Sequence, residues 1–208
     1  MRFFSFLLIF PFIILNGQIQ SPLRKSIDDH KKGVGLWWAG HNGWIIKSDG
    51  LVLSTDILLN YDKRINNPPI TEKELAQILD ISFVTHYHKD HFARSVSKVL
   101  VEESNCIFVI PESCIDIAKE MKIPENRIQI AIPRNNFEIL GVKVSPIRAI
   151  HGNSDFAIYY KANLKDCGYV IEIGGKRFLQ PGDSFLLEDH LLLNDIHVLL
   201  SIPSRKMS

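Results

Sequence analysis

The sequence predicts an α/β (α+β) fold in which helices pack outside two facing β-sheets, and three observations carry that prediction. Short apolar runs separated by glycine, asparagine and aspartate turns fill residues 33 to 55 and again residues 127 to 179. Between them, residues 71 to 121 alternate helical and strand-like patterns. Each half therefore offers a strand group with helices attached, without any repeat of sequence, and each needs a partner to cover its apolar face. A chain of 208 residues with 46% hydrophobic content has the size of one domain and enough apolar matter for a core.

Taken in order, residues 1 to 15 place one positive charge, Arg2, ahead of a short apolar run, and polar Asn16, Gly17 and Gln18 follow. This is the pattern of a secretory signal peptide over residues 1–20, so the protein is expected to be exported, to the periplasm or the medium. Ser5 and Pro11 interrupt the run, which falls short of the about 20 apolar residues of a membrane span. An uncleaved leader is the competing reading and the one route to membrane contact. Residues 21 to 32 are charged and read as a solvated lead-in, so the domain is expected to occupy 33–208.

Residues 34 to 38, 43 to 47 and 51 to 55 read as three strands joined by hairpin turns. Thr71 and Glu74 fit a capping box that opens a helix through Leu79. A strand at 81 to 84, a helix at 92 to 103, a strand at 106 to 110 and a helix at 113 to 121 follow. The second half reads as strands at 127 to 132, 137 to 140, 142 to 150, 156 to 161, 169 to 173 and 176 to 179. An apolar strand at 195 to 202 closes the chain, with His197 inside it.

Composition excludes some partners. Lys and Arg number 24 against 23 Asp and Glu, and without Arg2 the balance is even, so no basic field points to nucleic acid. A small-molecule substrate is expected instead. The oligomeric state is not legible. Cys106, Cys114 and Cys167 are an odd set without CxxC spacing; Cys106 and Cys114 read as core residues and Cys167 as a loop thiol, with one disulfide left open in an exported protein.

The chemistry concentrates in Thr85-His86-Tyr87-His88-Lys89-Asp90-His91, directly after the strand at 81 to 84. Three imidazoles and a carboxylate within six residues suit a borderline divalent cation such as zinc, manganese or iron. Two further ligand types stand at strand ends, where a rigid strand can aim a side chain into a loop-lined space: His151 after 142 to 150, and Asp183 after 176 to 179. Taken alone, His151 also reads as a strand-end imidazole bonded to backbone, and Asp183 as a turn former after Pro181-Gly182. Trp37, Trp38 and Trp44 read as core or sheet-edge residues.

The series His86-x-His88-x-Asp90-His91, then His151, then Gly182-Asp183, resembles the metallo-β-lactamase superfamily. Trp37-Trp38-Ala39-Gly40-His41 followed by Asp56 resembles the branch that includes ascorbate-6-phosphate lactonase. The resemblance runs from about Val34 to Ile202. It implies an αββα sandwich holding two divalent metal ions, zinc foremost: His86, His88 and His151 on the first, Asp90 and His91 on the second, Asp183 between them. It implies His41 as a supporting or substrate-facing residue and Asp90 as the catalytic group that orients the attacking oxygen. Such a protein is a metal-dependent hydrolase of an ester, lactone, amide or phosphoester, since a bound cation lowers the pKa of water from 15.7 to about 7 and supplies hydroxide. The superfamily usually adds one more His to the second ion from beyond the strand at 195 to 202, and no His follows it here. The chain is therefore expected to lack the last strand and helix of the fold, with a catalytically weak metal-binding remnant as the alternative to a working enzyme. A phosphodiesterase or nuclease is a third reading, which the even charge balance disfavours.

Overall fold

The computed structural model describes residues 20–62, 64–151 and 164–201. Two mixed sheets face each other. The first has six strands in chain order, β1 (Val34–Gly40), β2 (Gly43–Ser48), β3 (Leu51–Thr55), β4 (Ile81–Phe83), β5 (Ile107–Pro111) and β6 (Ile128–Ala131). Its first three strands are antiparallel hairpins and the rest run parallel to β3. The second sheet is built from β7 (Phe137–Ile139), β8 (Val142–Ala149), β9 (Asp166–Ile173), β10 (Lys176–Gln180) and β11 (Val198–Leu199), in the order β11-β10-β9-β8-β7.

Adjacent residues of the first sheet divide between two cores because successive side chains of a strand leave opposite faces. Ile45, Val52 and Phe108 point to one core, with the helices α1 (Pro22–Asp29), α2 (Glu72–Ala76), α3 (Arg94–Glu103) and α4 (Ile115–Glu120). Their neighbours Ile46, Leu53 and Val109 point to the other, where Phe83 meets Val144, Tyr169, Ile171 and Phe178 of the second sheet. Both faces of the first sheet are thus covered, which is why its strands read as near-continuous apolar runs. The outer face of the second sheet alternates instead, and carries the Lys143–Glu172 ion pair. Among the described residues its one helix is the four-residue α5 (Glu188–Leu191), tied to β8 through Arg148 and Asp189.

Several local expectations meet the structure directly. The Thr71 hydroxyl accepts from the Glu74 amide at 3.2 Å, and the Glu74 carboxylate accepts from the Thr71 amide at 2.9 Å, although α2 ends at Ala76 rather than Leu79. Three readings are corrected. The charged stretch 21 to 32 contains α1, whose Ile27 is fully buried and whose Ser26 hydroxyl accepts from the Trp37 indole at 3.0 Å. Leu23 and Ile27, four residues apart, make the narrow apolar stripe that its charges hid. Cys167 lies in β9, buried, and all three cysteines are free thiols. The strand read at 195 to 202 pairs only through Val198 and Leu199, with His197 exposed at its start. The leader at 1 to 20 and the strand read at 156 to 161 lie, but for Gln20, outside the described residues. Among the described residues no helix is long and apolar enough to cross a membrane.

Candidate metal centre

The histidine cluster sits where the two sheets meet at one edge. β4 is a three-residue strand, buried throughout, and the chain leaves it through Val84 and Thr85 into a tight turn in which the amides of His91 and Phe92 both donate to the His88 carbonyl. The second sheet grips this exit. The Tyr169 hydroxyl, fully buried, donates to the Val84 carbonyl at 2.6 Å, and the Cys167 amide donates to the Thr85 carbonyl at 3.1 Å. His151 follows β8, and Asp183 arrives beside it because the Phe185 amide donates to the Ile150 carbonyl while the Ile150 amide donates to the Ser184 hydroxyl. Gly182 makes that approach feasible: its φ is +63°, and a Cβ there would stand 2.8 Å from the Thr85 Cβ.

The structure brings every sequence-nominated site residue together. Potential ligand atoms of His86, His88 and His151 all lie within 4.8 Å of one another, as do those of His86, His91 and Asp183, and those of His41, Asp90 and His91. His86 Nε2 faces His88 Nδ1 at 2.9 Å, and the His151 ring centroid is 5.4 Å from that of His86 and 5.0 Å from that of His88. His91 Nε2 lies 3.3 Å from Asp183 Oδ1 and 4.0 Å from Asp90 Oδ2. Asp183 therefore stands next to both histidine groups. His190 and His197 are elsewhere, the first accepting from the Leu187 amide and the second from the Arg177 amide.

Asp56, which follows β3, does more than the strand-end position suggested. Its carboxylate accepts from the Thr85 amide and the Thr85 hydroxyl, both at 2.8 Å, and lies 3.0 Å from His91 Nδ1. Fixing Nδ1 as the donor turns Nε2 of His91 toward the cluster, the arrangement by which a carboxylate orients a metal-binding imidazole. Gln180, fully buried, ties the neighbouring loops by donating to the Thr55 hydroxyl at 3.2 Å.

Electrostatics divides the imidazoles. Burial, then the positive charge of His91, holds His86 well below its usual range. Burial would lower His91 as well, but the carboxylates of Asp56 and Asp183 outweigh it and raise it to about 10. The Asp183 carboxyl, which burial would raise, is held below its ordinary range by the His91 imidazolium. Neutral His86 and ionised Asp183 are donors for a divalent cation as they stand, and His91 becomes one by giving up its proton. His91 Nε2, on a fully buried side chain, makes no hydrogen bond of good geometry and has only the Asp183 carboxylate beside it at 3.3 Å, so the residues fit a cation that would bridge the two. Beside the cluster opens a cavity of about 540 Å³, lined by His41, Asp90, His151, Asp183, Phe185 and Leu200 among others.

No family model matches the chain. It is 31% identical over 134 residues to a UPF0173 metal-dependent hydrolase of Thermococcus onnurineus, covering 63% of this chain and 55% of that one. It is 26% identical over 163 residues to a UPF0173 metal-dependent hydrolase of Carboxydothermus hydrogenoformans, covering 77% and 67%. The chain thus spans little more than half of the first relative. Among solved structures it resembles a protein of Parabacteroides distasonis, provisionally described as a metal-dependent hydrolase, with a TM-score of 0.61 at 16% identity over 80% of this chain and 68% of that one. It also resembles Igni18, a metallo hydrolase of Ignicoccus hospitalis, with a TM-score of 0.57 at 16% identity over 76% and 64%. At such identities the structures establish the fold. The chain thus shares its two-sheet fold with solved metal-dependent hydrolases, and its relatives by sequence are UPF0173 metal-dependent hydrolases.

Proposed function

We propose that the protein is an exported hydrolase that works with two divalent cations, zinc foremost, on a small ester or lactone. The carrying observation is the overlap of ligand groups: His86 and His91 each belong to two of the three, and Asp183 lies against both residues. In this reading His86, His88 and His151 hold one ion, Asp90 and His91 hold the other, and Asp183 is shared. A pair of divalent cations acidifies water and polarises the carbonyl or phosphoryl oxygen under attack.

The chain's own residues do the rest. Asp90, 44% exposed and lining the cavity, would accept a hydrogen bond from the attacking water and orient it. Asp56 and Thr85 keep the His91 ring from turning. Phe185, 44% exposed, offers an apolar surface for the part of the substrate that does not react, as small-molecule sites commonly do. The resemblance of Trp37 to His41 and of Asp56 to the ascorbate-6-phosphate lactonase branch supports a lactone within the ester class. The apolar leader at residues 1–20 supports export.

Zinc titration of the chelator-stripped protein, with turnover followed on a generic lactone, a nitrophenyl ester and bis-p-nitrophenyl phosphate, tests the assignment. Two equivalents with lactone or ester hydrolysis are expected. One equivalent without turnover would assign a metal-binding remnant instead, and a preference for the phosphate diester would move the protein to the phosphodiesterases.

A further inference from the structure

Asp90, His91 and Asp183 would give the second ion of the proposed pair three donors, and zinc in a catalytic site takes four or five ligands, water included. His41, at the turn between β1 and β2, lines the same cavity as Asp90 and Asp183, and its ligand atom lies within 4.8 Å of those of Asp90 and His91.

We propose that His41 is a further protein ligand of the second cation, supplied by the N-terminal hairpin turn. This rests on the two-ion reading above. His41 Nε2 lies 3.6 Å from Asp90 Oδ2, and the His41 and His91 rings meet edge to face with centroids 5.7 Å apart. A separation of 3.6 Å is too long for a hydrogen bond, so His41 is not merely bracing Asp90. Two donors each about 2.1 Å from a tetrahedral ion stand about 3.4 Å apart. The 3.6 Å from His41 to Asp90 and the 3.3 Å from His91 to Asp183 both match that edge. Nε2 of His91, one of the donors in question, is buried without a hydrogen bond of good geometry.

The turn is built to hold this ring in place. His41 adopts φ +48°, a left-handed conformation that costs a non-glycine residue and persists only when its surroundings impose it. The Trp38 indole donates to the His41 carbonyl at 2.8 Å, and the Tyr61 ring meets the imidazole edge-on at 6.1 Å. Arg64 fastens the approach, donating to the Ala39 and Leu59 carbonyls at 3.2 and 3.1 Å with its guanidinium 5.6 Å from the Tyr61 ring.

The test compares the full chain with His41→Asn, since asparagine tolerates the left-handed turn and removes the imidazole. Zinc uptake by equilibrium dialysis should give two equivalents for the parent. In the variant the first should remain and the second should weaken by about 100-fold or more, beyond the 10- to 100-fold typical of losing a supporting group. Cobalt loading gives a reading that a structural role would not move: the parent's far-shifted imidazole N–H proton resonances should fall by one in the variant. A parent that binds two ions beside a variant that binds two with unchanged affinity and the same resonances would overturn this inference and leave the two-ion reading intact. A parent that binds one ion or none would overturn both.

Discussion

Asp56 and His91 are 35 residues apart in the chain and 3.0 Å apart in the fold, with both side chains sealed from solvent. Because the same carboxylate also takes the amide and hydroxyl of Thr85, it locks the start and the end of the histidine turn together. Asp56→Asn keeps the shape and weakens the lock. Zinc affinity should fall about 10- to 100-fold, measured by competition with a chromophoric chelator. Asp56→Ala, which strands a buried imidazolium, should also cost about 3–5 kcal/mol in urea unfolding. Unchanged zinc affinity in both variants would remove Asp56 from the centre.

Gly182 and Tyr169 bring the second sheet to the turn and can be tested apart from the ligands. Gly182→Ala adds a methyl against Thr85 at a left-handed position, and should cost about 1–3 kcal/mol while pulling Asp183 off its place. Tyr169→Phe leaves the Val84 carbonyl buried without its donor, at about 1–3 kcal/mol, and should barely alter zinc uptake. Equal effects on zinc in the two variants would contradict the division of labour.

Much of this arrangement was legible locally, and what was missed was missed for a common reason. The Thr71 capping box, the hairpins and the alternation of helix and strand are properties of neighbouring residues, so pattern reading reached them. His86, His88, Asp90 and His91 could be nominated together because they share one turn. The contact of Asp56 with His91, the grip of Tyr169 on Val84 and the facing of His41 toward Asp90 join distant stretches, and no local period announces them. The α1 helix escaped because its one fully buried residue, Ile27, is outnumbered by charges. Cys167 falls outside the strand that the pattern starts at residue 169, whereas β9 begins at Asp166.

Buried thiols follow from that last point. Burial pushes the thiols of Cys106 and Cys167 up to about 12 and raises that of Cys114 as well, so none is a nucleophile at neutral pH. A thiol reagent should label none of the three in the native protein and all three in denaturant. Rapid native labelling would mean that β9 opens far more readily than its packing implies.

Proton linkage gives the last prediction. With its ions stripped by chelator, the folded chain holds the His91 proton up to about pH 10, against 6.5 for a free imidazole. That stabilisation is complete below pH 6.5 and is lost as pH rises through 10, because the folded form then gives up a proton it had bound more tightly. His86 acts in the opposite sense: below pH 6.5 the unfolded chain takes up a proton that the folded site refuses, so stability also falls toward acid. The stripped protein should therefore lose stability on both sides of neutrality. Saturating zinc replaces the His91 proton, since a ligating imidazole must be neutral, so uptake between pH 6.5 and 10 should release protons and flatten the alkaline loss. At a free zinc concentration about 100 times its dissociation constant the fold should gain about 2.7 kcal/mol. Urea midpoints with and without zinc across that range measure both effects. An alkaline loss equally steep in the two states would mean that His91 does not exchange its proton for the cation.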